Sequence, residues 1–346
     1  MSSYPLFDAF PRLGVFPRAG LLHGATPVQP LRGYDTVWIK RDDLSASDYG
    51  GNKIRKLDLL LARAAADDRR DLVTFGYSGS NFVAATAWHG RKLSLTTHAF
   101  LLPQADAPYV ADNLATGLHC GAELRVGRSQ PAVVAQALAC SLRVLARSGR
   151  APRWIPPGGS TPLGALGFVN AAFELRQQID AGELPVPQRL YVAFSSMGTV
   201  AGLAIGLALA GLPTRIEAIQ VVGPQFASRD KLDRLVQRTL ALLRRTDPAA
   251  APARIAEVDI RTEFFGEHYA VATDATKGAM QRFAAATGAH SDSAYSGKAL
   301  AGLHADLDAG TVHEPVLYWH TFNAHGRPAG VAPLSKEALR DYVLGG

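Results

Sequence analysis

Cysteine is nearly missing from this chain. Cys120 and Cys140 are the only two among 346 residues, and neither stands in a CxxC or another ligand spacing. That excludes a disulfide scaffold and makes a reducing setting, the cytoplasm, the expected one. Long apolar runs are missing as well: no window of roughly 18 apolar residues occurs, so no membrane-spanning helix is expected. The Ala/Leu-rich stretch 201–212 is too short and is punctuated by glycine, as in a buried helix. The opening MSSYPLFDAFPRLGVFPRAG has no basic head followed by an apolar run, so it does not read as a signal peptide. Charge of one sign is not concentrated either. Lys and Arg number 36 against 30 Asp and Glu, a formal net charge of +6, and the densest runs are only 67–70 and Arg244-Arg245. Without a basic stripe interleaved with aromatics, nucleic-acid binding is not expected, whereas a mild positive balance suits a small anionic ligand.

Several catalytic signatures are absent too. The ten histidines form no HExxH and none pairs with a cysteine at ligand spacing, so no metal is expected. There is no GxSxG elbow, no GxGxxG and no Walker loop; Gly297-Lys298 is followed by Ala299 where that loop needs a hydroxyl.

What is present is an ordinary globular composition, 47% hydrophobic and 19% charged, in a chain long enough for two domains. Short apolar strands alternate with helices. Strands are predicted over 71–76, 93–102, 123–126, 190–194 and 216–222, and helices over 80–90, 111–120, 132–148, 164–181 and 198–210. That alternation predicts an α/β protein with doubly wound parallel sheets. A Pro/Ala-rich connector is expected over 246–255.

Polar or glycine-rich loops fall at the ends of these strands, where open parallel sheets hold ligands. In Gly50-Gly51-Asn52-Lys53 two glycines permit a tight turn before a helix, and Lys53 reads as a surface cation, a phosphate clamp or a Schiff-base amine. The last needs a depressed pKa, toward which Arg55 and Lys56 could contribute charge. Residues 76–81, ending in Ser80-Asn81, read as an N-cap or an anion site at a helix start. Ser195-Ser196-Met197-Gly198-Thr199 has the logic of a phosphate cradle, with free amides at a helix N-terminus. Residues 291–298 and Tyr269 add two tyrosines, Tyr269 and Tyr295, suited to packing or to proton transfer.

Taken in order, WIKRDDLS…YGGNKIRKLD at 38–58, Ser80-Asn81, IPPGGSTPLGALGFVNAAFEL at 155–175, SSMGTVAGL at 195–203, DSAYSGKALAGL at 292–303 and LYWHT at 317–321 resemble the D-cysteine desulfhydrase and 1-aminocyclopropane-1-carboxylate (ACC) deaminase family of pyridoxal-phosphate enzymes. The resemblance runs from about Pro5 to Pro328, and the GGNKxRKL run is its most specific part.

The resemblance implies a tryptophan-synthase-β-like fold (fold type II) of two domains, with residues 1–58 and 164–346 forming the large cofactor domain and 59–163 the small one. It implies pyridoxal 5′-phosphate held covalently by Lys53, with Asn52 beside it and Asn81 on the ring hydroxyl. Ser196, Met197, Gly198 and Thr199 would wrap the phosphate. Ser80 would bind the substrate carboxylate or help to move the Cα proton, Tyr269 and Tyr295 would be catalytic, and Thr321 or Ser296 would face the pyridine nitrogen.

The implied activity is that of a cytoplasmic homodimeric lyase on a small amino acid, β-elimination from D-cysteine first. ACC deamination, loss of sulfite from cysteate, racemisation and a redirected role in a specialised pathway are the alternatives.

The chain also departs from the family pattern. Gly79 and Phe82 flank the Ser-Asn pair in place of polar residues, Ser196-Met197 stands where glycine is usual, and Phe322-Asn323 replaces two glycines. ACC deaminases carry Glu at the position of Ser296, a difference that favours elimination of a good leaving group over opening of a cyclopropane.

Overall fold

The computed structural model describes residues 4–343. Its strands are β1 (Val28–Pro30), β2 (Val37–Arg41), β3 (Asp71–Tyr77), β4 (Thr96–Leu102) and β5 (Glu123–Val126). They continue with β6 (Arg153–Ile155), β7 (Arg189–Phe194), β8 (Arg215–Gln220), β9 (Val258–Arg261) and β10 (Val316–His320). The chain divides into two compact units: Met1–Val15, Leu22–Lys56 and Ser160–Ala324 form one, and Phe16–Leu21, Leu57–Gly159 and His325–Gly346 form the other. Both are layered α/β structures with mostly parallel sheets flanked by helices, the fold class expected from the alternating pattern.

The first unit holds a six-stranded sheet in the order β1-β2-β10-β7-β8-β9, parallel except for the β1–β2 pair. Every residue of β10 is buried, as a central parallel strand covered on both faces requires. The helices Pro162–Asp180 and Gly198–Leu209 cross closely. A Cβ at Gly202 would lie 2.3 Å from the Ala165 carbonyl oxygen, so glycine lets one backbone rest on the other.

The second unit holds a four-stranded parallel sheet in the order β5-β4-β3-β6. Here β4 starts at Thr96 rather than 93, because Leu93 closes the preceding helix Asn81–Lys92 and Ser94 turns through a positive φ of 56°. The helix Pro108–His119 starts about a turn earlier than the apolar pattern indicated, with proline in its first turn, where its missing N–H costs nothing. Among the described residues no helix is long and apolar enough to cross a membrane.

Candidate active site

Lys53 immediately precedes the helix Ile54–Ala66, at the end of a turn tied to two strand ends. Gly51 has φ +91°, and a Cβ there would meet the Phe322 carbonyl oxygen at 3.0 Å, so only glycine fits. The Gly50 N–H donates to Asn323 Oδ1 (2.9 Å), the Gly51 N–H to the Asp42 carbonyl (3.1 Å) and the Asn52 N–H to the Thr321 carbonyl (3.4 Å). These partners follow β2 and β10, so Lys53 stands at the carboxyl edge of the sheet, where such sheets bind ligands.

Beneath the turn lies a sealed network of charges. The Arg55 guanidinium donates to Asp42 Oδ1 (2.7 Å) and to Glu174 Oε2 (2.8 Å), and Lys40 Nζ donates to Glu174 Oε1 (2.5 Å). Trp319 Nε1 donates to Asp42 Oδ2 (2.7 Å). Burial alone would raise the Glu174 carboxyl, but Arg55 and Lys40 hold it at about 2. Arg55 is two residues beyond Lys53, so this network fixes the first helical turn and, through it, the lysine. The sequence marks Arg55 only as nearby positive charge; Asp42 lies 13 residues before it, but its other carboxylate partner, Glu174, is 119 residues further along.

Lys53 lines a cavity together with Asn52, Ser195, Ser196, Met197, Thr199, Tyr295 and Thr321. Burial brings its pKa down to about 8, partly opposed by the negative charge of Asp292. Its Nζ lies 5.6 Å from the centre of the Tyr295 ring.

The 195–199 loop leads from β7 into the helix Gly198–Leu209. Met197 caps that helix in the left-handed region (φ +66°, ψ −26°), a strain of about 1–2 kcal/mol in a residue with a side chain. The glycine usual at this part of the family loop would adopt it freely. Ser160 Oγ donates to Ser196 Oγ (2.9 Å) and accepts from the Gly198 N–H (3.2 Å), while Asn52 Nδ2 donates to Thr199 Oγ1 (3.3 Å).

A Cβ on Gly198 would lie 2.7 Å from Ser160 Oγ and 3.0 Å from Lys56 Nζ. Lys56 is therefore at this loop too, fully buried, and burial followed by the charge of Lys53 drives its pKa well below the ordinary value. Backbone amides at a helix start, hydroxyls and a buried amine together suit a phosphate, which fits pyridoxal phosphate. Lys56 was not singled out for this from the sequence, although a residue one helical turn after Lys53 falls on the same side of the helix.

Tyr269 and Tyr295 meet hydroxyl to hydroxyl at 2.6 Å, ring edge to face. The Asp292 carboxylate accepts the Ala294 N–H (2.9 Å), the Tyr295 N–H (2.6 Å) and the Ser296 hydroxyl (2.6 Å). Ser296 Oγ is thus committed to Asp292, and of the two hydroxyls considered for the pyridine nitrogen it is Thr321 that lines the cavity. Asp292, unassigned in the sequence reading, orients Tyr295 and biases Lys53. Lys298 Nζ donates to the Phe265 carbonyl (2.5 Å) and so ties down the segment before Tyr269.

Ser80 and Asn81 belong to the second unit. Ser80 Oγ caps the helix Asn81–Lys92 by accepting the Val83 N–H (3.4 Å), and Asn81 Oδ1 accepts from Asn113 Nδ2 (3.0 Å). A Cβ on Gly79 would lie 2.7 Å from the Tyr109 ring and 2.9 Å from Gln104 Oε1, which itself accepts the Gly79 N–H. Gln104 thus fills the space a larger residue at 79 would take. Phe82 is buried against Gly159 within its own unit, and Phe322 packs on His320 with ring centres 6.1 Å apart.

The family model for pyridoxal-phosphate dependent enzymes matches residues 20–321. Nocardicin C-9′ epimerase of Nocardia uniformis subsp. tsuyamanensis is 31% identical over 332 residues, covering 94% of this chain and 99% of the relative. D-cysteine desulfhydrase of Salmonella newport (strain SL254) is 31% identical over 324 residues, 89% of this chain and 94% of the relative. The crystal structure of an ACC deaminase homologue superposes with a TM-score of 0.79 at 29% identity, covering 95% of this chain and 97% of that one. The chain belongs to the pyridoxal-phosphate-dependent enzymes, in the D-cysteine desulfhydrase and ACC deaminase group.

Proposed function

We propose that the enzyme catalyses β-elimination from D-cysteine or a related β-substituted alanine. With D-cysteine and one water the products are pyruvate, ammonia and hydrogen sulfide. The observation that carries this reading is the make-up of the cavity: a buried lysine with a pKa of about 8 amid hydroxyl and amide groups, with no carboxylate in its lining. When bound, the cofactor supplies a sink for the electron pair released at the substrate Cα, a sink made stronger by a protonated ring nitrogen. Thr321, a hydroxyl, does not enforce that protonation, which is sufficient where the β-substituent leaves readily.

Lys53 would anchor the cofactor and, as a free amine, take the Cα proton of the substrate. Ser196, Met197, Gly198 and Thr199 hold the phosphate, joined by Lys56, and Asn52 braces Thr199. The Tyr269–Tyr295 hydroxyl pair can pass one proton toward the departing group. Ser80 takes the substrate carboxylate and Asn81 the ring hydroxyl. Ser296 acts through Asp292 and Tyr295. A homodimer in the cytoplasm completes the proposal, and sedimentation of the purified enzyme checks the dimer.

A second reading is epimerisation at Cα, which needs the same proton removal without loss of a group; the similarity to an epimerase along almost its whole length favours it. Incubation with D-cysteine, L-cysteine and β-chloro-D-alanine in deuterated water separates the two. Elimination yields pyruvate and ammonia in equal amounts. Epimerisation yields Cα-deuterated substrate and its enantiomer without pyruvate. Absence of pyruvate from every β-substituted alanine would overturn the proposed elimination.

A further inference from the structure

The second unit carries a group of metal-ligand side chains that amino-acid chemistry at Lys53 does not use. His98 on β4 and Glu123 on β5 are direct partners across neighbouring parallel strands, so both side chains leave the same face of the sheet. Phe100, two residues along β4, shares that face and packs with Val133, Ala137, Cys140 and Val144 of the helix Gln130–Ser148. The helix thereby brings Cys140 over the strand pair, and the donor atoms of His98, Glu123 and Cys140 all lie within 4.8 Å of one another.

His98 is poised as a ligand by its other neighbour. Its Nε2 lies 2.7 Å from Asp71 Oδ1. An ionised carboxylate only accepts, so Nε2 donates to Asp71 and Nδ1 is the ring atom turned toward Glu123 and Cys140. That atom is buried, on a side chain only 3% exposed, and has no hydrogen-bond partner among the described residues. It lies 3.2 Å from Glu123 Oε2 without hydrogen-bond alignment. A carboxylate behind the second nitrogen is also how proteins orient a metal-bound histidine.

We propose that His98 Nδ1, Glu123 and Cys140 together bind one zinc ion, with Asp71 as the outer carboxylate and solvent completing the shell. Imidazole, thiolate and carboxylate suit this borderline ion. Binding releases the Cys140 thiol proton to solvent and ties the helix to the β4–β5 edge of the sheet. Arg147 reaches Asp71 (2.9 Å) and Arg125 approaches Glu123 (3.8 Å), but both side chains are largely exposed and their charge is screened by water.

The test uses holoenzyme stripped with a chelator, dialysed against zinc chloride and counted for zinc by mass spectrometry. Cadmium serves as a second probe, read by its sulfur-to-metal absorption in the ultraviolet. One zinc per chain, a cadmium–thiolate band and a raised melting temperature are expected. Cys140→Ser and Glu123→Gln should each weaken zinc at least ~10-fold, and Asp71→Asn by ~10–100-fold, while Cys120→Ser leaves it unchanged. Glu123 is partly solvent-facing, so its variant keeps the fold. Zinc bound equally well by Cys140→Ser and Glu123→Gln would overturn the site. So would failure of the intact holoenzyme to bind zinc.

Discussion

Lys53 shows how a burial site alters one side chain. Loss of hydration penalises the ammonium and brings the pKa to about 8, with Asp292 opposing only in part. At pH 7 roughly 10% of such amines are free, against ~0.03% at the ordinary lysine value. Capture of the cofactor aldehyde needs the free amine, so the yellow colour formed on adding cofactor to stripped enzyme should appear faster as pH rises, half-maximally near 8. A half-rise near the ordinary lysine pKa would sink this account. Asp292→Asn should move the half-rise lower, because it removes the charge that raises the pKa. Lys53→Ala should keep the fold but lose the yellow colour. Lys53 was legible because GGNK encodes its own turn through residues adjacent in the chain. Asp292 was not, since nothing in its immediate sequence says which charges it approaches, and for Lys56 the spacing from Lys53 gives the side of the helix but not the loop it meets. The choice between Ser296 and Thr321, open in the sequence, turns on a hydrogen bond that engages Ser296 elsewhere.

At the level of elements, the parallel strands most easily read were those with continuous apolar runs, such as β7. The strand β2, VWIKR, does not look like a buried strand, yet Lys40 within it is fully buried. What allows this is Glu174, on a helix 134 residues further along, so no local window reveals the compensation. Removing one partner leaves an uncompensated buried charge, and Glu174→Ala should cost about 3–5 kcal/mol in urea unfolding. The pH dependence has a definite sign. The folded pKa of Glu174, about 2, lies below its ordinary 4.5, so its stabilisation is present above the ordinary value and fades as pH falls toward 2. That loss is about 3 kcal/mol for a shift of this size. The variant should lack this acid-sensitive component, and an unchanged acid slope would contradict the assignment.

For the whole molecule, the alternation of strands and helices made the two mostly parallel sheets legible. The composition of the units was less so: Phe16–Leu21 and His325–Gly346 group with Leu57–Gly159 through contacts remote in sequence. Reaction choice also belongs to this scale, because it depends on which segments surround one cavity. With Thr321 in the lining and no carboxylate there, the enzyme should form pyruvate from β-substituted alanines and little 2-oxobutyrate from ACC. Electronics and pocket shape both offer causes. Ser296→Glu is a poor discriminator, since it would set a second carboxylate against Asp292, where the serine hydroxyl now donates at 2.6 Å. Thr321→Asp is cleaner because it acts from the cavity wall. If electronics govern the outcome, the ratio of ACC to β-chloro-D-alanine turnover should rise at least ~10-fold, about 1.4 kcal/mol in relative barrier. A ratio that stays put would assign the preference to shape, and robust ACC deamination by the unaltered enzyme would remove the preference altogether.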